Sequence, residues 1–348
     1  MANPTTCPPL TRQSVTKAHE LIRSRVHCTP VMTSMFMNQL ASTPRKSAKP
    51  IIRLWFKCEN LQRVGAFKVR GAFHAIERLK QEPGWLENGG LSRGVVSFSA
   101  GNHAQAVALA ARESNMPAHI VMPETSSRVK IESVQGYGAN LTISGRFDRE
   151  AVAAQIVAKT GARLVPPYDH PDVILGQGSV GLELQSQVAK LDAIISPSSG
   201  GGLLSGTALS CEGTGIRVYG AEPEFEGADD GRRGFLSGKR ITHVETSTIA
   251  DGLVGKLGLY PWEIIYERRL VDMIYAVSED EILDAMKLIF ERLKLVVEPA
   301  AAVPLAVALY NEEFREMVEH TAGDAGWDVG IILSGGNIGT GRIAELFS

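Results

Sequence analysis

Short apolar runs that close on glycine, serine or proline, each followed by an amphipathic stretch, constrain this chain most. The strand-like runs are IIRLWFK (51–57), GVVSFSA (94–100), AHIVMP (118–123), DAIISP (192–197), IRVYGAEP (216–223) and VGIILSGG (329–336). Helical patterns lie between them, among them HAQAVALAARES (103–114), GLELQSQV (181–188) and EDEILDAMKLIFERLK (279–294). Apolar strands alternating with helices predict an α/β architecture of open, mostly parallel sheets flanked by helices. A chain of 348 residues holds one large or two medium domains. The stretches QEPGWLENGG (81–90) and PPYDHPD (166–172) are the expected crossings between two lobes.

A formal net charge of −2 with 21% charged residues creates no field suited to nucleic acid or an anionic membrane. The N-terminal MANPTTCPPL lacks a basic-then-apolar signal pattern. No apolar run approaches the roughly 20 residues that span a bilayer. Cys7, Cys28, Cys58 and Cys211 form neither a CxxC pair nor a disulfide framework. A soluble protein of the reducing cytoplasm is expected, with no nucleic-acid or membrane partner.

Three strand-to-helix turns are candidate ligand sites, because α/β sheets bind ligands at the carboxyl ends of their strands. In DAIISPSSGGGLLSGTALS (192–210), Ser199, Gly200, Gly201 and Gly202 join a strand to a helix. Successive glycines let backbone N–H groups converge on one anion, typically a phosphate. This is neither a Walker loop nor a GxGxxG fingerprint. The turn SFSAGNHAQ (97–105) sets Asn102 and His103 at a helix start, where free N–H groups and the helix dipole suit a carboxylate. ILSGGNIG (331–338) places Ser334 at the end of a buried strand, in reach of a heteroaromatic nitrogen. Lys68, in GAFKVRGA (65–72), is the candidate nucleophile, since desolvation lowers a lysine's pKa.

Taken in order, the segments resemble the serine/threonine dehydratase and serine racemase family of fold-type II pyridoxal phosphate enzymes, within the tryptophan synthase beta-like superfamily. The resemblance runs through HCTPVMTS (27–34), FKCENLQRVGAFKVRGAF (56–73), SAGNHAQA (99–106), GQGSVGLEL (176–184), SGGGLLSG (199–206), AEPEFEGADD (221–230), IADGL (249–253), VVEPAAAVPLA (296–306) and LSGGN (333–337).

The resemblance implies two domains, with 1–92 and 173–348 binding the cofactor and 93–172 binding substrate. Lys68 would carry pyridoxal phosphate covalently, with Phe67 beside the ring, Asn102 at its hydroxyl and Ser334 at its nitrogen. Ser199, Gly200, Gly201, Gly202 and Leu203 would hold the phosphate, and Glu298 would belong to the cofactor site. Ser99, Ala100, Gly101, Asn102 and His103 would clamp the substrate carboxylate. Apart from the resemblance, Arg146 and Arg149 are candidates for a second carboxylate, as a 3-hydroxyaspartate substrate requires. Glu222, Ala228 through its carbonyl and Asp230 would bind Mg²⁺ or Ca²⁺, hard cations that prefer oxygen. AEPEFEGADD carries two residues more than the shorter family pattern AEPEGADD. A cytoplasmic homodimer acting on a small amino acid is expected.

The activity implied is ammonia-lyase elimination on serine, threonine or 3-hydroxyaspartate, giving a 2-oxo acid and ammonia. Four positions depart from the family pattern. Ala66 stands for serine, Ser199 for the first of four glycines, and Ala300 for serine or threonine. Ala100 stands where racemases carry a hydroxyl that protonates the opposite face of the α-carbon. Elimination is therefore expected over racemisation, with β-replacement or amino-acid racemase activity in a biosynthetic pathway as the alternatives. A pyridoxal phosphate-binding protein without catalysis is the alternative from another class.

Overall fold

The computed structural model describes residues 6–99, 101–126, 128–145 and 148–348. Ala100 and Arg146, named above, lie outside the described residues. Among the described residues, ten strands form two sheets. They are β1 (Val31–Met32), β2 (Ile52–Cys58), β3 (Val95–Phe98), β4 (Ala118–Pro123), β5 (Asn140–Ser144), β6 (Arg163–Leu164), β7 (Ala193–Pro197), β8 (Arg217–Pro223), β9 (Met273–Val277) and β10 (Trp327–Leu333).

The six-stranded sheet has the order β1-β2-β10-β7-β8-β9, and the four-stranded sheet β5-β4-β3-β6. All pairings are parallel except β1 on β2. β10 sits inside the larger sheet with every residue buried, so it reads as a continuous apolar run and not as an alternation.

Both faces of both sheets are covered. One face of the larger sheet packs Ile331 and Leu54 against Ala301, Leu305 and Phe314 of the helices Pro299–Tyr310 and Glu312–Ala322. The other packs Ile194 and Ile332 against the helices Arg12–Ile22, Pro171–Gln187 and Gly202–Cys211. The smaller sheet buries Val95 and Ile120 against the helices Lys68–Lys80 and Asn102–Glu113. Its opposite face meets Ala153 of the helix Arg149–Thr160. Lys68–Lys80 thus packs against the small sheet although its chain segment precedes it. Glycine allows the helices behind the larger sheet to approach closely. A Cβ on Gly178 would lie 2.6 Å from the Gly206 carbonyl oxygen.

Several boundaries differ from the sequence reading. The run 94–100 is a strand only to Phe98, and 329–336 only to Leu333, where the chain leaves the ladder for the site loops. The helix expected at 181–188 starts at Pro171, whose fixed φ suits a first helical position, with the His170 ring capping the Asp172 N–H. Hence PPYDHPD is a loop only as far as His170. Residues 279–294 form an α-helix to Leu288, with a Ser278–Glu281 capping box, then a π turn at Ile289–Leu293. The sequence patterns do not predict β1, β5, β6 or β9. β6 is two residues long and shows no period, and the strand character of β5 and β9 depends on their parallel neighbours.

Candidate active site

Lys68 opens its helix immediately after a loop pinned to the end of β10. The Phe67 N–H donates to the Ser334 carbonyl at 3.1 Å, and the Gly336 N–H to the Gly65 carbonyl at 2.9 Å. Ala66 pairs with Gly335 in an antiparallel bridge. Half-buried Lys68 donates from Nζ to the Pro167 carbonyl at 2.6 Å, and Nζ lies 5.1 Å from the Phe67 ring centre. Burial pushes its pKa down to about 8, against the attraction of Glu298. An amine so tuned is still mostly protonated at neutral pH but supplies far more neutral form than a solvated lysine, and that form can serve as nucleophile or base.

Glu298 is buried at the N-terminus of Pro299–Tyr310. Burial and the charge of Asp251 push its carboxyl up to about 7, opposed by the Asn102 hydrogen bond, Lys130 and Lys68. Asn102 Nδ2 donates to Glu298 Oε1 at 2.7 Å, and Asn102 Oδ1 accepts from Asn337 Nδ2 at 2.8 Å. Asn102 also starts the helix Asn102–Glu113. Ahead of it the Gly101 N–H donates to Ser99 Oγ at 3.3 Å, while the N–H groups of Asn102 and His103 have no acceptor among the described residues. His103 is buried, with Nε2 3.1 Å from the Val165 carbonyl oxygen. Burial and then Lys68 push its pKa down to about 3, so the ring is neutral.

A second open helix N-terminus follows β7. Gly201, at φ +86°, precedes the helix Gly202–Cys211. The N–H groups of Gly200, Gly201, Gly202 and Leu203 find no acceptor among the described residues. Ser199 Oγ accepts from the Gly255 N–H at 2.9 Å and donates to its carbonyl at 3.0 Å, tying the loop down. The Tyr168 ring packs so closely that a Cβ on Gly200 would stand 2.3 Å from it. A Cβ on Gly201 would meet Leu257 at 2.5 Å and Pro261 at 2.6 Å. Burial, with the charges of Asp169, Glu150 and Asp230, pushes the Tyr168 phenol's pKa up to about 12, opposed by Arg149 at its own helix start. Ser334 is buried, immediately after the end of β10.

Glu222, next to last in β8, is buried, with Oε1 accepting from Ser198 Oγ at 3.0 Å and Oε2 from the Arg232 N–H at 2.9 Å. Asp230, also buried, accepts from the Leu257 N–H at 3.3 Å. Burial and then the charge of Asp230 push the Glu222 carboxyl well up, and burial pushes Asp230 up to about 6. Ala228 is buried beside them in sequence. Residues 224–226 are exposed, and Glu226 and Gly227 turn at φ +49° and +83°. The longer loop therefore bulges outward and leaves the two acids inside.

Sequence reasoning missed the Pro167 carbonyl on Lys68, the Tyr168 ring on Gly200 and the Asn337 bond to Asn102. The first two lie in PPYDHPD, whose prolines read only as loop. Asn337 stood in the turn ILSGGNIG without an assigned partner.

A desolvated lysine amine, two helix N-termini with free N–H groups and a buried serine after β10 define an α/β enzyme built around an anionic heteroaromatic cofactor. The chain belongs to the pyridoxal-phosphate dependent enzyme family, whose model matches residues 32–335. It is 44% identical over 340 residues to L-threo-3-hydroxyaspartate ammonia-lyase of Saccharomyces cerevisiae, covering 96% of this chain and 95% of that one. It is 39% identical over 332 residues to beta-hydroxyaspartate dehydratase of Paracoccus denitrificans, covering 94% and 96%. The structure of maize serine racemase matches with a TM-score of 0.86 at 41% identity, covering 97% and 96%. The protein is accordingly a pyridoxal phosphate enzyme of fold type II, as the resemblance implied. Among the described residues no helix is long and apolar enough to cross a membrane.

Proposed function

We propose that the chain is an ammonia-lyase that removes the β-hydroxyl of a β-hydroxy amino acid of the 3-hydroxyaspartate class, releasing a 2-oxo acid and ammonia. The observation that carries this reading is the Lys68 amine, held at about 8 by burial and linked electrostatically to Glu298, which grips Asn102 at the open helix start.

Lys68 would hold pyridoxal phosphate covalently, with Phe67 beside the ring, Asn102 at the ring hydroxyl and Ser334 at the ring nitrogen. The backbone from Ser199 to Leu203 would take the phosphate, favoured by the helix dipole and free N–H groups. Bound there, the cofactor supplies an electron sink at the substrate α-carbon. The Ser99–Asn102 turn, backed by His103, orients the substrate carboxylate, and Arg149 faces a second one. Set free when the substrate amine takes its place, the neutral Lys68 amine takes the α-proton as general base. Ala100 offers no side-chain acid to return a proton to the opposite face. Departure of the β-hydroxyl is then favoured over racemisation, and water re-enters as ammonia leaves.

In the same reading 1–92 with 173–348 form the cofactor lobe and 93–172 the substrate lobe. Glu222, Ala228 and Asp230 take Mg²⁺ or Ca²⁺, since two buried acids without a basic ion-pair partner among the described residues are suited to a hard cation. Four unpaired cysteines support a reducing, cytoplasmic setting, and the assembly is a homodimer.

The test follows 2-oxo acid release from 3-hydroxyaspartate, serine and threonine, with Lys68→Ala as control. Release is expected to be fastest from 3-hydroxyaspartate and lost in the variant. Formation of D-serine from L-serine without 2-oxo acid would reverse the assignment.

A further inference from the structure

Outside the active site, the fold gathers three side chains with the chemistry of a transition-metal ligand set. Cys7 lies on the segment before the helix Arg12–Ile22, while His170 and Asp172 flank the start of Pro171–Gln187. One ligand atom from each lies within 4.8 Å of the others. We propose that Cys7, His170 and Asp172 bind a borderline-soft divalent cation of the Zn²⁺ class, at a site distinct from Glu222 and Asp230.

The donor set carries the choice of metal. A thiolate, an imidazole and a carboxylate match zinc-type ligation and leave a fourth position for water, whereas Mg²⁺ and Ca²⁺ take oxygen. Asp172 is 9% exposed, and its Oδ1 has no hydrogen-bond partner among the described residues. Its nearest cation is Arg78, at 3.5 Å. Arg78 pairs with Asp172 through Nε, while its other two nitrogens donate to Gln81 at 2.8 Å and to the Thr6 carbonyl at 2.7 Å. Arg163, in the same cleft, is committed to Glu82 by bonds of 3.0 and 2.8 Å. The buried carboxylate thus has one long contact, to a cation shared with other acceptors, and its oxygen lies within 4.8 Å of the thiol and the imidazole.

Binding has two local costs. Burial pushes the Cys7 thiol up to about 11, so ligation releases its proton to solvent. The His170 Nδ1 accepts from the Asp172 N–H at 3.1 Å, and ligation through that nitrogen exchanges the hydrogen bond for a metal bond. Zinc bonds are roughly 2.0–2.3 Å long, so the ligands must also draw together. Cys7, on a segment ahead of the first helix, can supply that movement. The cation then ties the N-terminal segment to the loop whose Pro167 carbonyl receives Lys68 and whose Tyr168 ring covers Gly200.

The experiment uses the cofactor-loaded enzyme, stripped of metal by chelation and then saturated with Mg²⁺ to fill any oxygen-ligand site. Co²⁺ is titrated as the spectroscopic stand-in for Zn²⁺. The expected result is a near-ultraviolet thiolate-to-cobalt band that saturates at one ion per chain, is bleached by Zn²⁺ and raises Tm. Cys7→Ser and Asp172→Asn should each lose the band, while Glu222→Gln should keep it. The proposal is overturned if no thiolate band forms, if the band survives in Cys7→Ser, or if it disappears in Glu222→Gln.

Discussion

Asn102 grips Glu298 across the site: Asn102 Nδ2 donates to Glu298 Oε1 at 2.7 Å. Asn102 begins a helix packed on the small sheet, and Glu298 begins one packed on the large sheet. The bond therefore couples the two sheets where the cofactor and substrate would meet. Asn102→Ala leaves a buried carboxyl without its partner and should destabilise the protein by about 1–3 kcal/mol. It also pushes the Glu298 pKa above about 7, because the lost bond favoured the charged form. Urea denaturation measures the first effect, and an unchanged midpoint would refute the coupling.

Lys68 at about 8 predicts how the apoprotein takes up its cofactor. Only the neutral amine is nucleophilic, so the rate of reconstitution should rise about tenfold per pH unit below 8 and level off above it. Visible absorbance after mixing with pyridoxal phosphate follows the reaction. A midpoint near 10.5 instead would mean that the amine is solvated.

Arg70, two residues beyond Lys68, is fully buried between Glu59 and Glu183, with bonds of 2.7–2.8 Å to both. Lys57 completes the cluster, donating to Glu183 at 2.7 Å. Burial alone would raise the Glu183 carboxyl, yet Arg70 and Lys57 hold it below its ordinary value. Arg70→Met leaves buried acids uncompensated and should cost about 3–5 kcal/mol. Chemical denaturation of the variant provides the measurement, and a loss under 1 kcal/mol would show that the cluster rearranges.

Glu222 and Asp230 predict the pH dependence of metal stabilisation. Both carboxyls are raised, so protons compete with a divalent cation as pH falls through about 6. Mg²⁺ should raise Tm at pH 7.5, do so much less at pH 5, and have no effect in Asp230→Asn. Equal shifts at both pH values would place the ion elsewhere.

Local signals reached as far as neighbouring residues control structure. The apolar run 192–197 followed by Ser199–Gly202 specified a strand, an anion turn and a helix, because glycine freedom and helix periodicity operate within a few residues. The same holds for Asn102 at its helix start. Lys68, by contrast, was chemically uninformative until the resemblance placed it, since a lysine's pKa depends on what buries it. Arg149 lies near Tyr168 only because the helix Arg149–Thr160 packs on the small sheet.

By itself, the sequence determined the α/β class, the strand-turn-helix units and the residue types able to hold an anionic ring. Tertiary structure alone decided that Pro167 meets Lys68, that Tyr168 covers Gly200, and that Cys7 reaches His170 and Asp172. It also decided that the longer loop at 224–227 bulges outward and keeps Glu222 and Asp230 buried. The physical reason is range. Backbone propensity and periodicity act over one or two turns, whereas these contacts join segments brought together only by packing both faces of two sheets.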